Sequence, residues 1–179
     1  MKKIFLSIVL FAGLGLSASA QKEGAVNKIS IGPEFIYPLQ NFEDTFKTKI
    51  GYGISVQGEY NILKNLNLTG AVGLSSFVYK DEVKAFEESL GMPTSNFLYY
   101  TGKLGVKYYY RNFYATAEIG GALAVDYGFE NVLAYSGGLG TSFSISPKSN
   151  LDFGVRYEEW NLNGRYPFVG LRAAYSFGF

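Results

Sequence analysis

The stretch 169-VGLRAAYSFGF-179 decides the fold. Val169, Leu171, Ala173, Tyr175, Phe177 and Phe179 fall on one side, and Gly170, Arg172, Ala174, Ser176 and Gly178 on the other. A period of two held over this length describes a β-strand with unlike faces. Its apolar side also carries large aromatics up to Phe179. Aromatics at such a place need apolar surroundings of their own, because chain ends in water fray and are usually polar.

The same alternation recurs seven times upstream, over 28–37, 50–62, 66–79, 98–110, 113–126, 133–146 and 151–158. Most of these segments exceed the five or six residues usual in globular proteins and suit a tilted membrane crossing of about nine to eleven. Short connections, "LKN" (63–65), "RN" (111–112) and "PKSN" (147–150), follow strands two, four and six. Longer ones (38–49, 80–96, 127–131 and 159–167) follow strands one, three, five and seven. Long and short connections therefore gather at opposite ends of an antiparallel sheet. Within the longest, residues 81–90 form a candidate helical piece that groups Val83, Ala85, Phe86 and Leu90.

The first twenty residues follow other rules. Lys2 and Lys3 precede an apolar run from Ile4 to Leu16, and Ala18-Ser19-Ala20 supplies small residues before Gln21. This predicts a secretory signal peptide over 1–20, cut between Ala20 and Gln21, and a single domain over 21–179. The rival reading, an anchoring helix, is disfavoured because the run falls short of the about 20 residues a helical span requires. Removing the two signal lysines leaves 14 basic and 15 acidic residues. That balance points to no nucleic-acid partner. The sequence contains neither cysteine nor histidine. It therefore offers no disulfide framework, no His/Cys metal site and no histidine base.

Alternation alone leaves open which face is outside. The polar faces are made largely of small residues: Ala134, Ser136, Gly138, Gly140, Ser142, Ser144 and Ser146 in strand six. A water-facing surface would carry many more charges, whereas small residues suit a crowded barrel interior. Aromatics band at both strand ends, with Tyr60, Tyr108, Tyr110, Phe113, Phe143, Phe153, Phe177 and Phe179 near the short turns. Tyr37, Tyr52, Tyr100, Tyr135 and Tyr157 lie near the long loops. Two girdles around an aliphatic band mark the two interfaces of a bilayer. The expectation is an all-β, eight-stranded antiparallel up-and-down transmembrane β-barrel with its apolar face outward. Trp160, beside Tyr157, is expected to be one more interface anchor.

With signal peptide, eight strands, alternating loops and terminal "YSFGF", the chain resembles the small eight-stranded outer-membrane β-barrels of Gram-negative bacteria. These include the OmpX and OmpA types and the porin-like, PorT-like barrel domains. The resemblance implies a cell-outer-membrane location, short periplasmic turns and long extracellular loops. It implies outer-membrane lipid and lipopolysaccharide as surroundings, and periplasmic chaperones and the barrel-assembly machinery as partners. The machinery would read Tyr175, Phe177 and Phe179 as an assembly signal. A monomer is the expected state.

An eight-stranded barrel is filled by its own side chains. Counting from the short turns places Glu34, Glu59, Lys103, Lys107, Glu118, Arg156 and Arg172 at similar heights on the inward faces. Unpaired charges there would be costly, so mutual pairing into a plugging network is expected; a polar binding site or proton path is the functional alternative. No enzymatic activity and no cofactor are expected. The adjacent acids Glu158 and Glu159 make a poor catalytic pair because neighbouring strand residues point to opposite faces. The acidic stretches 42-FEDTF-46 and 81-DEVKAFEE-88 are candidate surface contacts for an extracellular ligand. The functional expectation is a plugged barrel with a structural, adhesive or interaction role carried by its loops. A narrow transporter or channel for small or hydrophobic solutes is the first alternative, and a soluble periplasmic lipocalin-like carrier the second.

Overall fold

A computed structural model describes residues 27–39, 48–91, 96–125, 131–161 and 164–179. The signal segment with Ala20 and Gln21, and the stretch 42–46, lie outside the described residues. The strands are β1 (Lys28–Pro38), β2 (Thr48–Leu63), β3 (Leu66–Tyr79), β4 (Phe97–Tyr110), β5 (Phe113–Ala124), β6 (Val132–Ser146), β7 (Ser149–Asn161) and β8 (Arg165–Gly178). Each pairs antiparallel with the next, and β1 pairs with β8, so the sheet closes. Closure leaves no strand edge unpaired, which a lipid environment demands. Among the described residues a helix, α1 (Asp81–Ser89), follows β3; Asp81 and Glu82 in its first turn complement the positive end of its dipole.

Following register partners once around, from Lys28 through Glu59, Thr69, Gly105, Glu118, Ser136, Glu158 and Phe168, returns to β1 at Pro38. The path has climbed ten residues, from 28 to 38, in one circuit. That is ~33 Å of strand rise against ~38 Å for eight strand spacings, a tilt of about 40°.

The alternation sets the faces without exception along β1, where buried and exposed residues alternate through all eleven positions. Leu104 and Leu139, in the middle of the outer surface, are 67% and 65% exposed. Tyr37, Tyr52, Tyr100 and Tyr157 ring one end, and Tyr60, Tyr108, Tyr110, Phe113, Phe177 and Phe179 the other. An apolar belt between aromatic girdles is the surface of a membrane-spanning barrel. A lipocalin-like carrier would have the opposite arrangement, so the soluble alternative is overturned. The turns at the end ringed by Tyr60, Tyr110 and Phe113 are two residues each, 64–65, 111–112 and 147–148. Arg111 takes a positive φ of 55°, as a tight hairpin turn requires.

Candidate functional site: a layered barrel interior

The inward side chains form three layers. The lowest, nearest the short turns, is centred on Glu59. Its carboxylate accepts hydrogen bonds from Lys107 Nζ at 2.7 Å, Tyr109 OH at 2.7 Å and Asn67 Nδ2 at 2.8 Å. Lys107 Nζ also lies 4.0 Å from the Tyr114 ring centroid and 3.9 Å from Asp152 Oδ2. Asp152 accepts no direct hydrogen bond and answers Lys107 by charge alone. Lys28 sits over the Tyr109 ring at 4.5 Å. Tyr114 reaches across the two glycines Gly140 and Gly154; a Cβ at Gly140 would fall inside contact distance of its ring.

The middle layer turns on Glu158. Its Oε2 accepts Lys103 Nζ at 2.6 Å and Arg156 Nε at 2.7 Å, and its Oε1 accepts Trp160 Nε1 at 2.9 Å. Arg156 reaches onward to Glu34 Oε2 at 2.8 Å, and Ser55 Oγ donates to Glu34 Oε1 at 2.6 Å. Arg172 donates to Ser55 Oγ at 2.9 Å and to Ser30 Oγ at 3.1 Å, and lies 3.6 Å from Glu34. Glu118 accepts from Gln57 at 2.8 Å and lies 3.7 Å from Lys103. Among the described residues the interior sets Lys28, Lys103, Lys107, Arg156 and Arg172 against Glu34, Glu59, Glu118, Asp152 and Glu158, an even match. In a low-dielectric interior that balance, with direct hydrogen bonds to Glu34, Glu59, Glu118 and Glu158, works against the desolvation of the ions. A cavity of ≈ 60 Å³ lies between the two charged layers, bounded by Gln57, Thr116, Glu118, Arg156 and Arg172 among others. It has room for a few small molecules the size of water.

The top layer, toward the long loops, is aromatic. Phe77 stacks on Phe97 at 5.2 Å between ring centroids, Tyr99 meets Trp160 at 4.8 Å, and Phe168 meets Trp160 edge-on at 5.4 Å. Ile36, Ala122, Val132 and Ala134 fill the gaps, and every member is almost wholly buried. Trp160, expected as an interface anchor, is 0% exposed. It shares parity with Glu158 on β7 and therefore points inside. Its indole N–H needs a partner when buried, and Glu158 supplies it.

All seven charges singled out in the sequence face the interior, but at two levels. Glu59 and Lys107 pair in the lowest layer, and Glu34, Lys103, Glu118, Arg156 and Arg172 meet in the middle one. Strand tilt separates residues equally far from their turns. Sequence reasoning missed Glu158, Asp152, Lys28 and the aromatic layer. The signal for Glu158 was its parity with Arg156. Glu159 lies across the wall from Glu158, on the outer face, where Tyr135 and Tyr157 hydroxyls donate to it. The two acids are therefore separated by the sheet. Tyr175 and Phe177 are half exposed on the outer face near the short turns, and Phe179 is exposed beyond them. Among the described residues no three potential ligands group as a metal site.

No protein-family model and no curated protein matches the chain. Solved structures do. Neisserial surface protein A aligns with a TM-score of 0.58 and 15% identity, over 86% of this chain and 97% of that one. The Yersinia pestis outer membrane protein Ail in a phospholipid bilayer nanodisc aligns at 0.53 and 19%, over 86% and 99%. Ail in complex with the heparin analogue sucrose octasulfate aligns at 0.54 and 19%, over 84% and 97%. The chain has the fold of the small eight-stranded outer-membrane β-barrels.

Proposed function

We propose that the protein is an integral outer-membrane barrel with a closed interior, acting at the cell surface through its long connections in a structural or adhesive role. The observation that carries this reading is the filling of the interior in three successive layers. Lys107–Glu59, Lys103–Glu158, Arg156–Glu158 and Arg156–Glu34 are direct pairs at 2.6–2.8 Å, and the aromatic layer above them is tightly packed and almost wholly buried. Steady conductance therefore belongs to the transporter reading and silence to this one. Purified protein in planar bilayers should give no steady channels at neutral pH; reproducible unit conductance would overturn the closed interior. Catalysis has no place in the reading, since the adjacent acids are divided by the wall.

The surface partner follows from α1. Asp81, Glu82 and Glu88 outnumber Lys84 in charge on its described side chains, and Phe86 and Leu90 are exposed. The similar Ail has been captured with a sulfated heparin analogue. The acidic helix here favours a different partner, one offering apolar or basic groups. Cells displaying Phe86→Ser together with Leu90→Ser should adhere less to immobilised protein ligands than cells displaying the unaltered barrel. Equal adhesion would remove α1 from the contact.

A further inference from the structure

The cavity between the two charged layers has an uneven wall. Lys103, Lys107, Arg156 and Arg172 border it, against Glu34 and Glu118. Glu59 and Asp152 face Lys107 from the lowest layer, and Glu158 binds Lys103 and Arg156 beside Trp160. None of these three acids is part of the cavity wall. The charged groups of the interior match in number, yet those lining the cavity carry two positive charges in excess. Within low-dielectric walls such an excess sets up a strong local field.

Donors without a partner border the same space. The two lining acids are already engaged: Glu34 accepts Ser55 at 2.6 Å and Arg156 at 2.8 Å, and Glu118 accepts Gln57 at 2.8 Å. Arg172 is the least neutralised of the lining cations. Its Nε and Nη2 donate to neutral groups of Ser55 and Ser30, and its nearest carboxylate, Glu34, lies 3.6 Å away and is shared with Arg156. Its Nη1 meets no acceptor among the described residues. Tyr114 and Thr116 share the inward side of β5 and border the cavity, and neither hydroxyl hydrogen-bonds to a described residue. Gly154 and Gly170 contribute no side chain to the wall, which leaves the room.

We propose that Arg172, Tyr114 and Thr116 form a binding site for one small monovalent anion of the halide class. A guanidinium N–H and two hydroxyls supply the hydrogen bonds, and the positive excess of the wall favours an anion over a water. The cavity of ≈ 60 Å³ admits an ion about the size of a water molecule, whose share of the liquid is roughly 30 Å³, and suits a tetrahedral oxyanion poorly. One bound anion leaves the interior with one negative charge in excess, which holds the affinity low; neutralising one acid should raise it. Asp152 is the acid to neutralise, because neither of its oxygens accepts a hydrogen bond that would be lost. The site does not depend on the closed-interior reading, since an ion can occupy it whether or not solutes cross.

The probe is bromide. Crystals of the refolded barrel grown in sodium bromide should show an anomalous-scattering peak in the cavity, in contact with Arg172 Nη1 and the Tyr114 or Thr116 hydroxyl. In solution, an ion bound only by the folded state stabilises it. With ionic strength held constant by sodium gluconate, whose anion is too large for the cavity, bromide should therefore raise the urea midpoint of the wild type relative to Arg172→Gln. Tyr114→Phe and Thr116→Val each remove one hydroxyl, and each should shift the response to several-fold higher bromide. Asp152→Asn should shift it the other way, to several-fold lower bromide. Heat-modifiable gel migration verifies that each variant is folded; if Arg172→Gln is not, the opposite shifts of Thr116→Val and Asp152→Asn decide. A cavity that holds only water in bromide overturns the site. So does a peak without a bromide-dependent midpoint, which is an adventitious ion only. An Asp152→Asn response equal to that of the wild type overturns the charge argument. Steady conductance in planar bilayers would sink the closed interior and leave these results standing, so the two failures are distinguishable.

Discussion

Glu158→Ala is the substitution that most directly probes the interior. The carboxylate accepts three hydrogen bonds, from Lys103 at 2.6 Å, Arg156 at 2.7 Å and Trp160 at 2.9 Å. Three such bonds at about 1.5–3 kcal/mol each for charged partners would give roughly 5–9 kcal/mol if they simply added. They do not add, because two donors keep an alternative. Arg156 retains Glu34 at 2.8 Å, and Lys103 retains Glu118 at 3.7 Å. The indole N–H loses its Glu158 acceptor, and the layer carries one surplus positive charge. Breaking a buried pair by removing one member costs about 3–5 kcal/mol, and that is the magnitude expected here. With urea slopes of about 1–3 kcal/mol per molar, the midpoint should fall by at least ~1 M. The assay is urea titration of protein refolded in phospholipid vesicles, followed by gel migration of the folded form. Trp160, the sole tryptophan, reports the same layer by fluorescence. Glu118→Gln is the control: its nearest cation is more distant, so its cost should be clearly smaller. A midpoint within about 0.3 M of wild type, roughly half a kcal/mol, would refute the hub role of Glu158.

Other perturbations examine other parts of the barrel. Leu139→Arg, in the middle of the outer surface, should cost about 2–4 kcal/mol, and Leu133→Arg, nearer the rim, less; equal tolerance in vesicle refolding would reject the assigned facing. Arg172→Ala should lower the urea midpoint while leaving membrane targeting intact, because it empties Ser30 and Ser55 of their common donor; an unaltered midpoint would remove Arg172 from the network. Gly140→Ala should destabilise by about 1–3 kcal/mol, since the new methyl overlaps the Tyr114 ring and approaches Phe153 O; Tyr114→Phe should not rescue it, as the ring itself is the obstacle. Deleting Phe179 should slow insertion in cells, and a normal yield of folded barrel would argue against its part in an assembly signal.

The sequence made the wall legible and the filling only partly so. Over 169–179 the inward positions are Gly, Arg, Ala, Ser and Gly, so contrast with Leu171, Tyr175 and Phe177 is strong. At the long-loop end that contrast vanishes. In 97-FLYY-100 all four side chains are large and apolar or aromatic, yet Phe97 and Tyr99 point in while Tyr100 points out. Hydrophobic periodicity cannot register an interior that is itself aromatic. Trp160 was hidden for a second reason: β7 runs to Asn161, three residues beyond the alternation visible through Glu158. Heights were misjudged for a geometric reason. Counting from turns ignores a climb of ten residues per circuit, which drops Glu59 and Lys107 below Glu34 and Lys103.

The pairing pattern also bears on how closure is rewarded. Neighbouring strands zip by backbone bonds whether or not the sheet is a barrel, so those bonds favour closure only at the β1–β8 seam. The interior contacts behave otherwise. Arg156 on β7 meets Glu34 on β1, 122 residues away, and Lys103 on β4 meets Glu158 on β7, 55 residues away. Arg172 on β8 reaches Ser30 on β1, 142 residues away. None of these pairs joins strands adjacent along an open sheet. Before closure these three contacts are not available, whereas Arg156–Glu158 within β7 and Lys103–Glu118 between β4 and β5 do not depend on it. Long-range contacts of this kind add little until the chain is nearly native, which sharpens cooperativity. The even count of charges matters for the same reason. One surplus ion would leave closure with an uncompensated buried charge, so a single substitution at Glu158 or Arg156 weighs on the closing of the whole barrel, and not on one pair alone.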